Sequence, residues 1–317
     1  MKLRIGSRGS QLALWQANHI AALLRGQGHG VEIEIVKTTG DRLQEVTFAQ
    51  VGSKGMFTKE IEEALAEGRV DLAVHSLKDL PTELPALFAL AATPHRVDPR
   101  DAFVSIRFDS LAELPAGARV GTSSQRRRAQ LKALRPDIEA VEFRGNVDTR
   151  LRKLDEGQVD AILLASAGLD RLEKTEWVRE RLEPRDFCPA AGQGSLGIET
   201  RRGDTETMAA VAFLDDADTR FAVTVERAAL AALGGGCQVP IGIHCRPVLD
   251  EVAGQGNELW DEVFGVVADP KTGATVRIDH HAARSQSNPV TLGNLAARML
   301  LDAGAGPLLE AAGGETN

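Results

Sequence analysis

The N-terminal 35 residues show two strand-like patterns on either side of a helical one. Val31, Ile33 and Ile35 alternate with polar residues, which predicts a half-buried strand, and residues 2–7 form a similar short strand. Between them, Ser10 is a favourable helix N-cap, and apolar positions recur after it with helical spacing. A strand–helix–strand order predicts a parallel sheet with crossover helices, in which ligands bind at the carboxyl ends of strands.

The same pattern occurs again in the middle of the chain. Residues 67–71 (EGRVD) and 156–160 (EGQVD) each connect a helical pattern to an apolar strand. The repeat is short, but it predicts two similar α/β units with a ligand cleft between them. Between these repeats, residues 110–113 match the capping-box pattern and predict a short helix.

The pattern changes in the C-terminal third of the chain. Residues 217–233 have the spacing of a long helix, and three glycines end it just before Cys237. Residues 258–268 and 274–279 predict antiparallel strands joined by a turn, and residues 292–301 predict an amphipathic helix. This combination predicts a small α+β domain with Cys237 near its entrance.

Cys237 has two interpretations on this pattern. A lone cysteine after a helix cap is usually inert and buried. Packing alone, however, does not call for three glycines in a row, and a bare loop lets a bulky group approach the sulfur. The loop is therefore a candidate functional site.

Composition is that of a globular enzyme of two or three domains. Of the 317 residues, 43% are hydrophobic and 26% are charged. No apolar run reaches the ~18 residues of a membrane span, and the first residues lead into a strand rather than a signal peptide. The three cysteines cannot all pair, so we expect a reducing, cytoplasmic setting, with Cys188 and Cys245 in structural roles.

Basic residues are concentrated in one region of an acidic chain. The net charge of −8 disfavours nucleic acids and acidic membranes as partners. Residues 119–152 nevertheless hold nine Lys and Arg against four Asp and Glu, which indicates either a solvated helix face or a cleft for a small polyanion. Arginine binds carboxylates bidentately, and several arginines fall near predicted strand ends and helix starts, which favours a ligand with many carboxylates. These arginines are Arg8, Arg126, Arg127, Arg144, Arg150 and Arg171.

Six stretches of the chain resemble, in the same order, those of the porphobilinogen deaminase (hydroxymethylbilane synthase) family. They are residues 12–16 (LALWQ), 75–79 (HSLKD), 121–127 (GTSSQRR), 144–151 (RGNVDTRL), 192–194 (GQG) and 233–242 (LGGGCQVPIG). Together they are highly specific and span about residues 3 to 245. Motif support is slight beyond that point.

The resemblance implies a reaction and a cofactor. Four porphobilinogens are joined head to tail, with release of ammonia, into hydroxymethylbilane in tetrapyrrole (heme) biosynthesis. The product grows on a dipyrromethane that is bound by thioether to a cysteine, here Cys237. Loss of ammonia leaves an electron-poor azafulvene, whose charge a nearby carboxylate stabilises, and Asp79 is the candidate for this catalytic role. The alternative for Asp79 is a loop aspartate paired with Lys78.

The resemblance also implies binding residues. Each pyrrole carries two carboxylates, so the growing chain needs many permanently charged arginines. Arg128 is predicted to be structural, because the motif uses the first two arginines of its run. Residues 40–57 are implied to be a lid over the site that includes Lys54 and Phe57. The other implied ligands are Ser10, Lys78, Thr122, Ser123, Ser124 and Gln193.

The implied fold has two doubly wound α/β domains, similar to the lobes of periplasmic binding proteins, and a small α+β C-terminal domain. The predicted boundaries are residues 1–95 with 192–214 for domain 1, 96–191 for domain 2 and 215–317 for domain 3. We expect a monomer that acts on the small molecule porphobilinogen, with no metal, nucleic-acid or membrane partner. The sequence departs from the family pattern at Gln50, Gln125, Ser195 and Gly234, and none of these is assigned to chemistry.

Three other functions compete with this one. A non-catalytic, two-lobed anion-binding protein would need neither Cys237 nor Asp79. A cysteine-nucleophile hydrolase or acyltransferase needs a histidine beside the thiol, and no local pattern ties His75 or His244 to Cys237. Nucleic-acid binding through the arginine run conflicts with the net charge and with the absence of tyrosine.

Overall fold

The computed structural model describes residues 1–38, 58–235, 239–250 and 258–313. The predicted lid with Lys54 and Phe57, and the predicted cofactor cysteine Cys237, lie outside these residues. The strands, in chain order, are β1 (Lys2–Ser7), β2 (Gly30–Ile35), β3 (Leu72–Ser76), β4 (Phe88–Ala92), β5 (Asp101–Val104), β6 (Arg119–Gly121), β7 (Glu139–Val141), β8 (Ala161–Ala165), β9 (Val178–Leu182), β10 (Leu196–Arg201), β11 (Ile241–Asp250), β12 (Glu258–Ala268) and β13 (Thr275–Ala283). The helices are α1 (Gln11–Gly26), α2 (Lys59–Ala66), α3 (Gln125–Leu134), α4 (Val147–Asp155), α5 (Ser166–Arg171), α6 (Thr205–Val211), α7 (Ala217–Ala232), α8 (Pro289–Leu300) and α9 (Gly306–Gly313).

The first lobe is built on a mixed sheet with the strand order β2-β1-β3-β10-β4. Strands β1, β2 and β3 are parallel, and β10 runs antiparallel between β3 and β4. Leu3 and Ile5 on β1 are fully buried against Ile20 and Leu24 of α1, because the period of two and the helical period bring these apolar faces together. The predicted N-cap is also present, since the Ser10 hydroxyl accepts from the first turn of α1. The strand–helix–strand prediction is confirmed.

The second lobe repeats this arrangement with the order β7-β6-β8-β5-β9. Strand β6 pairs in parallel with β7 and β8, while β5 is antiparallel to both β8 and β9. Phe103 and Phe187 fill the core beside Leu163. The two repeated motifs form matching turns, with Gly68 at φ 69° and Gly157 at φ 73°, a conformation that favours glycine.

The short helix predicted over residues 110–113 is not formed, and this prediction is wrong. The stretch is a series of bends and turns. Pro115 follows two positions after the stretch and disfavours helical backbone at Leu114, and Leu111 and Leu114 are both buried in the core. The Glu113 carboxylate accepts from the backbone N–H of Asp109 at 3.1 Å, so it serves a turn rather than a helix cap.

The third domain is the antiparallel meander β11-β12-β13 covered by α7 and α8. The predicted strands, turn and helix are confirmed here. Gly234 ends α7 at φ 68°, and a Cβ on Gly235 would lie only 2.4 Å from Leu230 Cδ1. The helix end and its packing therefore account for two of the three glycines, and the third, Gly236, lies outside the described residues.

Two connections cross between the lobes, residues 93–100 and residues 183–195. They approach so closely that a Cβ on Gly194, at φ 90°, would lie 2.6 Å from the Val97 carbonyl oxygen. Glu226 of α7 is buried against this crossing, where it accepts from Arg96 Nη1 and the Gly192 N–H, each at 2.6 Å. The third domain is thus anchored where the lobes join. No helix in the described parts of the chain is both long and apolar enough to cross a membrane.

Candidate active site

A cleft of about 70 Å³ opens at the carboxyl ends of β1 and β3 in the first lobe. After β3 the chain forms a 3₁₀ turn, Leu77–Asp79, that leaves the Asp79 side chain exposed at the cleft. The polar residues of the wall are Arg8, Ser10, Gln16, Thr58, His75, Ser76 and Asp79. The structure therefore brings together three residues predicted from separate motifs: Arg8, Ser10 and Asp79.

The floor of this cleft is a set of paired side chains. Gln16 Nε2 donates to Ser76 Oγ at 2.8 Å. His75 Nε2 lies 3.0 Å from Glu199 Oε2, and both residues are buried. Sequence reasoning assigned no role to Glu199, because its partner lies 124 positions away in the chain.

Lys78 lies beside Asp79 and faces the other lobe. Its Nζ is 3.4 Å from Gln193 Oε1. Burial lowers the pKa of Lys78 to about 8; the neighbouring Asp79 opposes this shift, and the positive charge of Arg127 adds to it. The influence of Arg127 shows that the basic groups of both lobes meet at one place.

In the second lobe, two predicted ligand residues converge on one carboxylate that sequence reasoning missed. Asp101 is fully buried; its Oδ2 accepts from Arg126 Nη1 at 2.7 Å, and its Oδ1 accepts from Arg127 Nε and Nη2 at 2.9 and 2.7 Å. Burial alone would raise the pKa of Asp101, but Arg126 and Arg127 hold it well below its usual range. The signal in the sequence was an aspartate opening an apolar strand near three arginines, since a buried carboxylate needs a cation.

Gln193 joins this network from the crossing between the lobes. Its Nε2 donates to Asp101 Oδ1 at 3.0 Å and to the Pro99 carbonyl at 2.8 Å. Because Gln193 Oε1 also faces Lys78, a single amide links the basic groups of the two lobes. Asp101 consequently accepts four hydrogen bonds from three predicted site residues.

The predicted hydroxyl ligands shape the loop before α3. Ser124 caps the helix by accepting from the Arg127 N–H at 3.4 Å. Thr122 Oγ1 accepts from the Ser124 N–H at 3.3 Å, and Ser123 Oγ donates to the Phe143 carbonyl at 2.8 Å. These bonds hold the N-terminus of α3, an anion-binding element, in place.

The remaining arginines divide into two kinds. Arg128 and Arg144 both pair with Glu142, at 3.1 and 2.6 Å. In contrast, the Nε groups of Arg150 and Arg171 are buried without a hydrogen-bond partner among the described residues. Burial lowers the pKa of each of these two arginines to about 10, so both remain charged at neutral pH.

Arg171 also connects the lobes. Its Nη2 donates to the Gly194 carbonyl at 2.8 Å, and its guanidinium lies 5.9 Å from the centre of the Trp15 ring on α1. A buried N–H that lacks an acceptor is unfavourable by about 1–3 kcal/mol, so the orphan nitrogens of Arg150 and Arg171 are positions where a ligand oxygen would be stabilising. Lys78 in the first lobe and Arg126, Arg127 and Arg171 in the second thus reach the same crossing between the lobes, through Gln193, Asp101 and Gly194.

This arrangement defines a two-lobed α/β protein with a site for an anionic ligand, and comparison with known proteins narrows the class. A model of the "porphobilinogen deaminase, dipyromethane cofactor binding domain" matches residues 3–209, and one of the "porphobilinogen deaminase, C-terminal domain" matches residues 220–302. The chain belongs to the porphobilinogen deaminase family. These matches confirm the predicted family, enzyme class, cofactor and role in tetrapyrrole biosynthesis, and they do not favour a non-catalytic binding protein.

Relatives named porphobilinogen deaminase match almost the whole chain. Those of Nitratidesulfovibrio vulgaris (strain Miyazaki F) and Trichlorobacter lovleyi are 48% and 49% identical, over 97% and 98% of this chain and 96% of each relative. That of Chromobacterium violaceum is 47% identical over 98% of this chain and 97% of the relative. Among solved structures, a methionine-binding protein covers 69% of this chain and 91% of its own, at 13% identity and a TM-score of 0.45, a likeness too weak to carry an argument.

Proposed function

We propose that the chain joins four porphobilinogen molecules head to tail, with release of ammonia, on a dipyrromethane attached to Cys237. The observation that carries this proposal is one site with two halves. An exposed carboxylate, Asp79, lines the cleft of the first lobe, and two arginines of the second lobe have a buried Nε with no hydrogen-bond partner among the described residues. A substrate that develops positive charge at a ring nitrogen and carries carboxylates on its periphery requires both halves.

The donors of the second lobe fit a dipyrromethane. Arg150 and Arg171 offer buried Nε groups without protein acceptors, and Arg126 and Arg127 are fixed beside them by Asp101. We assign the carboxylates of the cofactor to these arginines and to the N-terminus of α3. When bound, the cofactor supplies the pyrrole carbon to which each new ring is joined.

Asp79 is the proposed catalytic residue. Its carboxylate lies just beyond the end of β3, where it is able to accept from pyrrole N–H groups and stabilise positive charge that develops on the ring nitrogen. It is also placed to move a proton as ammonia leaves. Arg8, Ser10 and Lys78 around it would bind the carboxylates of the incoming substrate.

The remaining sequence predictions complete the proposal. Residues 40–57, with Lys54 and Phe57, are proposed to cover the site. The boundaries near residues 95, 191 and 214, the monomeric state and the cytoplasmic location are proposed on the same basis. Arg144 is proposed to serve later rings, because its side chain is only partly buried.

Intact-protein mass spectrometry tests the proposal. The purified chain should exceed its sequence mass by one dipyrromethane, and Cys237→Ala should lose both this increment and all activity. Cys245→Ala is the matched control, because Cys245 is buried on β11 and this variant should keep the increment. An unmodified wild-type chain that is fully active would refute the attachment.

Limiting porphobilinogen then separates the roles of the arginines. We expect a ladder of covalent enzyme species, each more anionic than the last, on native gels or by intact mass. Arg126→Lys or Arg127→Lys should block assembly of the cofactor, whereas Arg150→Lys or Arg171→Lys should let the ladder begin and then stall. Identical ladders for all four variants would contradict this division of roles.

A further inference from the structure

A buried carboxylate–imidazole pair lies directly beneath the cleft that contains Asp79. The side chains of His75 and Glu199 are 6% and 0% exposed, and His75 Nε2 is 3.0 Å from Glu199 Oε2. In the antiparallel register of β3 and β10, Glu199 lies opposite Ala73, which places it diagonally from His75 on the same face of the sheet. The pair is therefore fixed by two central strands rather than by a loop.

A second carboxylate reaches the same place from α2. Glu62 is half-buried there, and burial raises its pKa; the negative charge of Glu199 raises it further, while the Thr58 hydroxyl and His75 oppose the shift. Glu199 Oε1 has no hydrogen-bond partner among the described residues. A buried carboxylate with one unpartnered oxygen thus lies beside an imidazole and a second carboxylate, an arrangement that is unfavourable for folding and that is typical of functional sites.

The pair is also connected to the turn that carries Asp79. His75 lines the cleft and immediately precedes Ser76, and the 3₁₀ turn Leu77–Asp79 follows. Leu77 is buried, and its N–H donates to the Ser195 carbonyl at 3.0 Å. The direction of the Asp79 carboxylate therefore depends on how the end of β3 is held, and His75 is the ionisable side chain that holds it.

We propose that Glu199 acts through His75 as a positioning residue for Asp79, and that its negative charge is required for this. The charged groups that face the pair are Glu62 from α2, Arg8 from the loop after β1 and Asp79 from the turn itself. Loss of the Glu199 charge weakens the hold on His75 and misdirects Asp79. This inference rests on the proposed role of Asp79.

Glu199→Gln and His75→Asn test the pair through a double-mutant cycle on kcat. Each variant should lower kcat by tenfold or more with KM changed less than about threefold, and the double variant should be no slower than the slower single one. Each should still carry the dipyrromethane by intact mass. Losses that multiply in the double variant, or a Glu199→Gln enzyme with the kcat and pH profile of the parent, would overturn the proposal.

Glu62→Gln provides a test that does not depend on a fragile variant. It leaves the Glu199–His75 contact in place, so it should keep the kcat of the parent. A loss of kcat as large as that of Glu199→Gln contradicts the proposal.

Asp71→Asn is the matched control, since Asp71 begins the other end of β3 and bonds to Arg4. It should change stability but neither kcat nor its pH profile. If Glu199→Gln loses activity only in proportion to its unfolded fraction, as this control would, the pair is merely structural. A parent enzyme that lacks the dipyrromethane would instead count against the proposed function itself.

Discussion

The two lobes share one backbone plan and differ at its functional edge. Asp71 donates its N–H to the Arg4 carbonyl at 2.8 Å, and the Arg4 N–H returns a 2.8 Å bond to the Asp71 carboxylate. In the second lobe, Asp160 and Arg119 exchange the same two bonds at 2.9 and 2.8 Å. The strand orders of the two sheets also match, so the two lobes share the same topology.

The difference appears at the carboxyl ends of the matching strands. In the first lobe, β3 leads into a short turn that presents Lys78 and Asp79. In the second, β8 leads into α5, which ends at the buried Arg171, and the arginines nearby gather around Asp101. A common scaffold thus carries an exposed carboxylate on one side and a group of arginines on the other, the two halves of the proposed site. The two lobes differ at this edge in a few side chains at strand ends rather than in the fold.

The largest effect should come from the carboxylate of the first lobe. Asp79→Ala should lower kcat by about 10²–10⁴-fold, because charge stabilisation and proton transfer are lost together. Asp79→Glu should retain more activity, since the charge is kept but displaced. Single-turnover kinetics and far-UV circular dichroism would measure rate and fold separately. Turnover within about tenfold of the parent would show that the first lobe lacks the proposed role.

In the second lobe, the buried carboxylate of Asp101 should contribute mainly to stability. Asp101→Asn leaves Arg126 and Arg127 buried without their counter-charge, so we expect a loss of about 3–5 kcal/mol in urea unfolding. Asp98→Asn is the control, because Asp98 is partly exposed and pairs with Arg100. Equal losses for the two variants would mean that Asp101 is an ordinary ion-pair partner.

A smaller effect should come from the pH dependence of Lys78 in the first lobe. Since the pKa of Lys78 is lowered from 10.5 to about 8, the folded protein releases this proton before the unfolded chain does, and the contribution of Lys78 to stability rises between those pH values. The folded protein loses the positive charge of Lys78 around pH 8, so KM for porphobilinogen should rise several-fold above that pH. Lys78→Arg should abolish this rise, because arginine stays charged. A parent KM that is flat to pH 9.5 would refute the assignment.

The smallest effects should come from the two turns that both lobes share, at Asp71 and Asp160. Asp71→Asn and Asp160→Asn each weaken an equivalent pair of bonds at the turn before a strand. Each should lower the free energy of unfolding by about 1–2 kcal/mol, with kcat unchanged. Thermal and urea unfolding of both variants would measure this equivalence. A loss of kcat in only one of them would show that the turn is coupled to chemistry in that lobe.

Local patterns in the sequence predicted the elements, the repeat and the family motifs, because these depend on neighbours within about ten residues. They did not predict which side chains from distant parts of the chain pair with each other. Asp101 meets Arg126 and Arg127 only after β5 takes its place beside β8, and Glu199 meets His75 only after the chain returns as β10. The false helix at residues 110–113 has the same origin, because burial of two leucines outweighed a local capping pattern.

The place of β10 sets an order of events on the ribosome. β10 lies between β3 and β4, yet it is synthesised after the entire second sheet. Until residue 201 has emerged, the nascent first lobe lacks a central strand, and β4 has no neighbour in its sheet. The sheet of the second lobe needs only residues 101–182 and is able to form as soon as they are free. The lobe whose first strands are translated first is therefore the one whose sheet is completed later.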